Sequence, residues 1–198
     1  TGTTYLTAVG QEDIFIQKFD LNGNLIWVKS LGGSDQEWTT SIAFDVLDNI
    51  YTTGRFKGTV DFDPDTGATY LTSGLFNDIF VHKMDSLGNL IWAKKMGGNS
   101  PAYGSAICVD SIGNTVLTGW FSSTADFDPG SGITNITSAG SFDFFIEKLD
   151  SAGNLVWIKT IGGTGLDAAY SITIDNSGYI YTTGLFNGTV DFDPDAGT

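Results

Sequence analysis

The chain holds one histidine and one cysteine, His82 and Cys108, so any nucleophile-and-base or imidazole-metal chemistry has to be built around them. The residues 65 positions to either side of His82 are Gln17 and Glu147. A position that takes Gln, His and Glu in turn is expected to be a solvated strand face. Cys108 stands where Ala43 and Thr173 stand one period away, the pattern of a small interior or edge residue. No Ser-His-Asp or Cys-His arrangement can be assembled from these residues, so no catalytic or cofactor-binding residue is assigned.

The carboxylates offer more. Asp61-Phe62-Asp63-Pro64-Asp65-Thr66-Gly67 places acidic groups at alternate positions before a glycine, and Asp191-Phe192-Asp193-Pro194-Asp195-Ala196-Gly197 repeats the arrangement. Calcium needs several hard oxygens at one point, and an EF-hand loop supplies them from positions 1, 3 and 5 with Gly at 6 and Glu at 12. Here Gly comes at 7 and position 12 is Thr72. Asp61, Asp63, Asp65, Asp191, Asp193 and Asp195 are the candidate metal ligands, with calcium the candidate cofactor. The alternative is an extended piece with Phe62 inward and the Asp side chains outward, ended by the proline. The middle copy, Asp126-Phe127-Asp128-Pro129, continues with Gly130 in place of the third Asp and is the poorest of the three as a binding loop.

Lys18, Asp20 and Lys29 also recur at the same interval. Three near-identical copies suit an ion pair or turn cap better than an acid and base, which need unlike environments. Trp27, Trp92 and Trp157 each follow a Leu by two residues on one strand face, as expected of a contact between sheets rather than a sugar-stacking platform. Trp38 and Trp120 occur in one copy each and mark the candidate for a copy-specific surface.

What positions these residues is the repeat. Asp20-Leu21-Asn22-Gly23-Asn24-Leu25-Ile26-Trp27-Val28-Lys29 returns at 85–94 and at 150–159, a fixed period of 65 residues. Such a period signals one supersecondary unit copied along the chain. The copies run 1–65, 66–130 and 131–195, with 196–198 starting a fourth, and the chain reads as an excised or matured piece.

Within each copy, Asp13 to Phe19 and Leu25 to Leu31 are β-branched and aromatic runs joined by an Asp/Asn/Gly loop, with Gly23 expected at positive φ. Thr40 to Phe44 and Ile50 to Phe56 form a second hairpin, in which Asp48 takes the left-handed position that Gly113 and Gly178 hold elsewhere. Between the hairpins lies an insert, residues 59–72, read as two short extended pieces around a proline-bearing turn. Gly32-Gly33 reads as a hinge. No stretch has the 3.6-residue period of a helix. The expected fold class is all-β: β-propeller blades, three four-stranded antiparallel repeats, forming half or part of a propeller.

Composition agrees with a folded domain and narrows the partners. The 41% hydrophobic residues can offset chain entropy. The net charge of -14 repels phosphate backbones and anionic lipid, so neither nucleic acid nor membrane is expected as a partner. No apolar run is long enough to span a bilayer, and one cysteine excludes an internal disulfide framework.

The repeated apolar-Lys-apolar-Asp, Gly-Asn-Leu-x-Trp-x-Lys, Gly-Gly, Ile-x-x-Asp, Thr-Gly and Asp-Phe elements resemble the bacterial β-propeller repeat family of the SBBP type over nearly the whole chain. The resemblance implies a propeller array in a large exported or cell-surface bacterial protein, without a catalytic centre. A non-catalytic scaffold or interaction module is therefore expected, binding protein or glycan, with a carbohydrate-binding or carbohydrate-processing propeller as the alternative. Because known propellers close with about four to eight blades, the expected partner is a second copy, giving a homodimer of six blades, or further blades of a longer parent chain.

Overall fold

A computed structural model describes residues 2–195, and every regular element in it is a strand. The first hairpin is β1 (Ile14–Phe19) and β2 (Leu25–Gly33). It is followed by β3 (Glu37–Phe44), β4 (Ile50–Phe56), the insert strands β5 (Thr59–Asp61) and β6 (Tyr70–Thr72), then β7 (Asp78–Met84) and β8 (Leu90–Gly98). The next round is β9 (Ala102–Val109), β10 (Thr115–Phe121), β11 (Thr124–Asp126), β12 (Asn135–Thr137), β13 (Asp143–Leu149) and β14 (Leu155–Ile161). The last pair is β15 (Ala168–Ile174) and β16 (Ile180–Leu185).

Strands β3-β4-β7-β8 and β9-β10-β13-β14 are two complete four-stranded antiparallel blades. The hairpins β1-β2 and β15-β16 are the outer half of one blade and the inner half of another. Strands β3, β9 and β15 pack side by side as the innermost strands. This is a β-propeller segment, and its blades are offset from the sequence copies. One 65-residue period gives its first hairpin to one blade and its second to the next, so the boundaries at 65 and 130 fall inside inserts.

The repeated motifs have distinct local causes. In each Asp-x-x-Gly-Asn turn the Asp carboxylate accepts from the backbone N–H groups two and four residues on, as at Asp20, whose Oδ1 takes Asn22 and Asn24 at 2.9 and 2.8 Å. Gly23 sits at φ 80° and Asp48 at φ 61°, so both turns take the left-handed residue that their chemistry requires. In the Thr-Gly motif the Thr53 hydroxyl donates to the Phe80 carbonyl at 2.8 Å, and Thr118 donates to Phe145 at 2.5 Å. Gly54 and Gly119 lie opposite the bulged strand, where a Cβ would overlap the carbonyl oxygens of Trp38 and Tyr103.

Gly32-Gly33 is not the hinge expected from its composition. Both residues are the end of β2 and pair with Asp61 and Val60 of β5. Glycine is needed for close approach, because a Cβ on Gly33 would overlap the Thr59 carbonyl. The insert therefore leaves its own blade and extends the outermost strand of the blade before it, as β11 does on β8. It acts as a clip between neighbours. Phe62, carried inward by this clip, is fully buried and packs on Phe56 and Phe80 at centroid distances of 5.4 and 5.1 Å. Phe127 repeats the contact with Phe121 and Phe145 at 5.0 and 5.1 Å.

Candidate interaction surface

The invariant charged residues join blades to one another. Lys18 Nζ donates to the Ser86 carbonyl in the turn of the next blade at 2.9 Å, and Lys83 does the same to Ser151 at 3.4 Å. Within single blades, Lys83 also lies 3.8 Å from Asp45 and Lys148 3.0 Å from Asp110. Asp20 is a turn cap whose pKa is lowered first by the Asn24 side-chain amide. Asp85 and Asp150 are lowered by the backbone N–H of Asn89 and Asn154. Each of these carboxylates accepts three hydrogen bonds from its own turn, which accounts for most of its acceptor capacity. The Trp92 ring meets Tyr51 edge-on at 6.1 Å, and its indole N–H donates to Ser151 at 3.2 Å. Trp27 and Trp157, partly buried, pack against core clusters that span their own and the next blade, without the ring contact or indole hydrogen bond that Trp92 makes.

His82 overturns the expectation of a solvated face. It is fully buried, its ring 6.0 Å from Phe62, and neither ring nitrogen has a hydrogen-bond partner. Glu147, at the same place in the next blade, is also fully buried with both carboxylate oxygens unpartnered. The clip covers this position in each complete blade, whereas Gln17, in the half-blade, is exposed. Burial lowers the His82 pKa to about 4, and burial followed by the nearby Asp128 charge raises that of Glu147 well above the usual carboxyl range. The two lie in different blades and share no partner, so they form no acid-base pair. Cys108 is half-buried, and burial raises its thiol to about 11, which suppresses the nucleophilic thiolate.

The candidate calcium ligands are drawn into their own loop. Asp61 accepts the backbone N–H of Asp63 and Thr69 at 3.0 and 2.8 Å, and Asp63 accepts that of Asp65 at 3.0 Å. Asp65 is ion-paired with Lys29 of the preceding blade. Asp191 and Asp193 likewise accept the N–H of Asp193 and Asp195, and Asp195 pairs with Lys159. Among the described residues no three acidic, histidine or cysteine side chains converge as a metal would require. In this structure the loops at 61–65 and 191–195 are turns whose last Asp makes an ion pair with a Lys of the outer hairpin. With the carboxylates so engaged, the melting temperature is expected to be equal in millimolar calcium and in chelator, and a calcium-dependent rise would show them to be binding loops.

A second set of carboxylates carries structure that the sequence reading left without a role. Asp78 is fully buried, accepts from Gly74 and Gly98 at 3.1 and 3.0 Å, and lies 3.2 Å from Lys95. Asp143 and Asp13 hold the same register, and Asp167 ties Gly163 to Asn187 at 2.7 and 2.9 Å. Glu37 accepts from Gly33 at 3.1 Å; burial, with Asp13 and Asp35 close by, raises its pKa to about 7. The signal for the first group was an Asp at the same place, 13, 78 and 143, in all three copies.

The copy-specific aromatics do come together. Trp38 and Arg55 are cross-strand partners on β3 and β4, and the guanidinium carbon lies 3.8 Å from the Trp38 ring centre and 5.0 Å from that of Tyr103. Tyr103 and Trp120 are partners on β9 and β10 with centroids 5.5 Å apart. Trp120 in turn meets Tyr170 at 5.5 Å, with the rings at 89°. Each member is at least partly exposed, so one continuous aromatic strip crosses three blades beside the innermost strands. Aromatic rings with an arginine are what interface hot spots are made of.

No family model matches the chain. A search of known proteins finds similarity to a protein of Acanthamoeba polyphaga mimivirus, the uncharacterized WD repeat-containing protein L264. The two are 28% identical over 200 residues, which takes in 88% of this chain and 14% of the viral protein. The chain thus spans a small part of that relative's length, and the likeness agrees with the propeller architecture.

Proposed function

We propose that the chain is a non-catalytic propeller scaffold whose aromatic strip is an interaction surface. The observation that carries the reading is the strip itself: Trp38, Arg55 and Trp120 break the repeat, yet stand together across blade boundaries on partly exposed surface. The viral relative's name as a WD repeat-containing protein supports an interaction module. The repeat's resemblance to bacterial arrays supports an exported or cell-surface setting. Net charge of -14 disfavours polyanionic partners.

Carbohydrate is the second reading, favoured by the half-exposed faces of Tyr103 and Trp120, since aromatic rings stack on sugars. A glycan array and a polysaccharide-turnover assay separate the readings. The scaffold reading expects no turnover, and it expects any ligand found to lose at least about tenfold in affinity in Trp120→Ala, as a hot-spot residue does. Turnover abolished by a single Asp substitution would overturn it.

A further inference from the structure

Arg55 is the chain's single arginine, and the repeat does not ask for it: the equivalent positions one and two periods on are Trp120 and Leu185. Lys29, Lys83, Lys95, Lys148 and Lys159 each pair with a carboxylate of the chain, but Arg55 makes no ion pair and no hydrogen bond with any described residue. The Glu12 carboxylate acts on it electrostatically without coming within ion-pair distance. The Arg55 Nε–H is buried with no partner, which leaves the two terminal Nη groups as the donors open to the surface.

The neighbouring rings fix how an anion can be taken there. The guanidinium carbon lies 3.8 Å from the centre of the Trp38 ring and 5.0 Å from that of Tyr103. Aromatic rings hold a guanidinium by its flat face, whereas a carboxylate takes it edge-on through two parallel hydrogen bonds in the guanidinium plane. The two contacts use different parts of the group, so the stack holds Arg55 in place and leaves its edge for a ligand. A long, flexible cation is thereby ordered before anything binds, which removes part of the entropic cost of binding.

The surface beside Arg55 decides the class of ligand. Leu75 and Phe76, in the connection from β6 to β7, are 72% and 49% exposed, and the fold requires neither, since the other copies have Gly10 and Gln11 or Gly140 and Ser141. They adjoin the strip, because the carbonyl of the next residue, Asn77, accepts the N–H of Ala102, the neighbour of Tyr103, at 3.0 Å. Leu and Phe side chains offer a sugar hydroxyl nothing to pair with, and covering a hydroxyl without a partner is unfavourable. Apolar peptide side chains suit them. A run of acidic residues does not, because a chain of net charge -14 repels every carboxylate beyond the one that Arg55 can hold.

We infer that the strip takes a peptide segment with one carboxylate side chain between apolar neighbours, the carboxylate held edge-on by Arg55 and the neighbours lying against Tyr103, Leu75 and Phe76. The inference rests on the strip being an interaction surface and adds the chemistry of its partner. Arg55 sets the specificity, and the rings supply the contact area around it.

The probe is a library of random peptides selected for binding to the 198-residue chain. The peptides recovered are expected to share one Asp or Glu between apolar residues. For such a peptide, replacing that acid by its amide, or Arg55 by Gln, is expected to weaken binding about tenfold or more. Both changes together are expected to weaken it little more than either alone, since each removes the same contact. The amide peptide makes the test on the unaltered chain, so the result does not depend on how the variant folds. Arg55→Lys keeps the charge without the two parallel donors and is expected not to restore affinity. Peptides without an acid, weakened by Trp120→Ala but not by Arg55→Gln, would overturn the inference and leave the strip an interaction surface. Recovery of no peptide that depends on Arg55, or Arg55-dependent binding of uronic-acid oligosaccharides alone, would overturn it as well. Binding indifferent to both Arg55 and Trp120 would remove the strip reading with it.

Discussion

Phe62→Ala and Phe127→Ala are each expected to cost about 3–5 kcal/mol of unfolding free energy, read as a fall in the denaturant midpoint. Both rings are completely buried, and each sits where a clip from one blade inserts against the outer strands of the blade before it. Truncation removes the ring's own transfer free energy. It also leaves a cavity whose walls, Phe56 and Phe80 or Phe121 and Phe145, belong to strands held by ladder hydrogen bonds and cannot collapse. The two rings lie in separate core clusters, so their effects should add to within about 0.5 kcal/mol. The double variant then loses about 6–10 kcal/mol, comparable to the whole stability of a typical domain, and should have no cooperative unfolding transition. Leu21→Ala, at an exposed turn tip, should change stability by less than about 0.5 kcal/mol. If Phe62→Ala behaved like Leu21→Ala, the clip would be an ornament and the blades would be held by their inner strands alone.

How much of this was legible before the structure depends on whether the cause of a feature is local. The hairpins were legible because Asp20, Gly23 and Asp48 solve a turn problem within five residues of chain. So was the orientation of the insert, since alternation along Asp61-Phe62-Asp63 puts one aromatic inward whatever lies around it. The division of each period between two blades was legible in the order of the hairpins, the glycine pair closing an outer hairpin before the next inner one and the insert joining an inner hairpin to the outer one that follows; the strand that the insert itself pairs with was not, because that pairing is decided by the neighbouring copy. The burial of His82 escaped for a related reason. Its cover comes from the clip and Phe62, twenty residues away in sequence, and polar variety at one register looks like exposure when the covering element is unseen. Gly32-Gly33 looked like a hinge because glycine tolerates bends, but it equally tolerates a strand packed against its backbone. The aromatic strip was half legible: Trp38 and Trp120 stood out as breaks in the repeat, while Arg55 and Tyr103 gained meaning only as their cross-strand partners.

His82 and Glu147 should give the protein opposite pH dependences that single substitutions can separate. The His82 pKa in the folded chain is about 4, below its ordinary value of 6.5, because burial penalises the charged imidazole by more than the Phe62 backbone offsets. In that window the unfolded chain binds the extra proton, so stability is lost as pH falls from 6.5 through 4. A difference of about 2.5 pH units corresponds to roughly 3 kcal/mol at pH 4. His82→Gln, which borrows the residue found at position 17, should therefore be more stable than the parent by about that much at pH 4 and differ little on this account at pH 8. Glu147 has the reverse sign. Burial keeps its carboxyl protonated in the folded chain above the ordinary 4.5, so its contribution declines as pH rises above 4.5 while the unfolded chain ionises. Glu147→Gln keeps the shape and removes the titration, so its advantage over the parent should be larger at pH 8 than at pH 4. Glu37, with a folded pKa of about 7, adds to the Glu147 slope between 4.5 and 7, so the parent curve alone does not isolate either group. The comparison of variants does: urea unfolding at pH 4 and pH 8 should show His82→Gln gaining at the acidic end and Glu147→Gln at the alkaline end. Parallel curves for both variants would mean that water reaches these sites and that the clips open in solution.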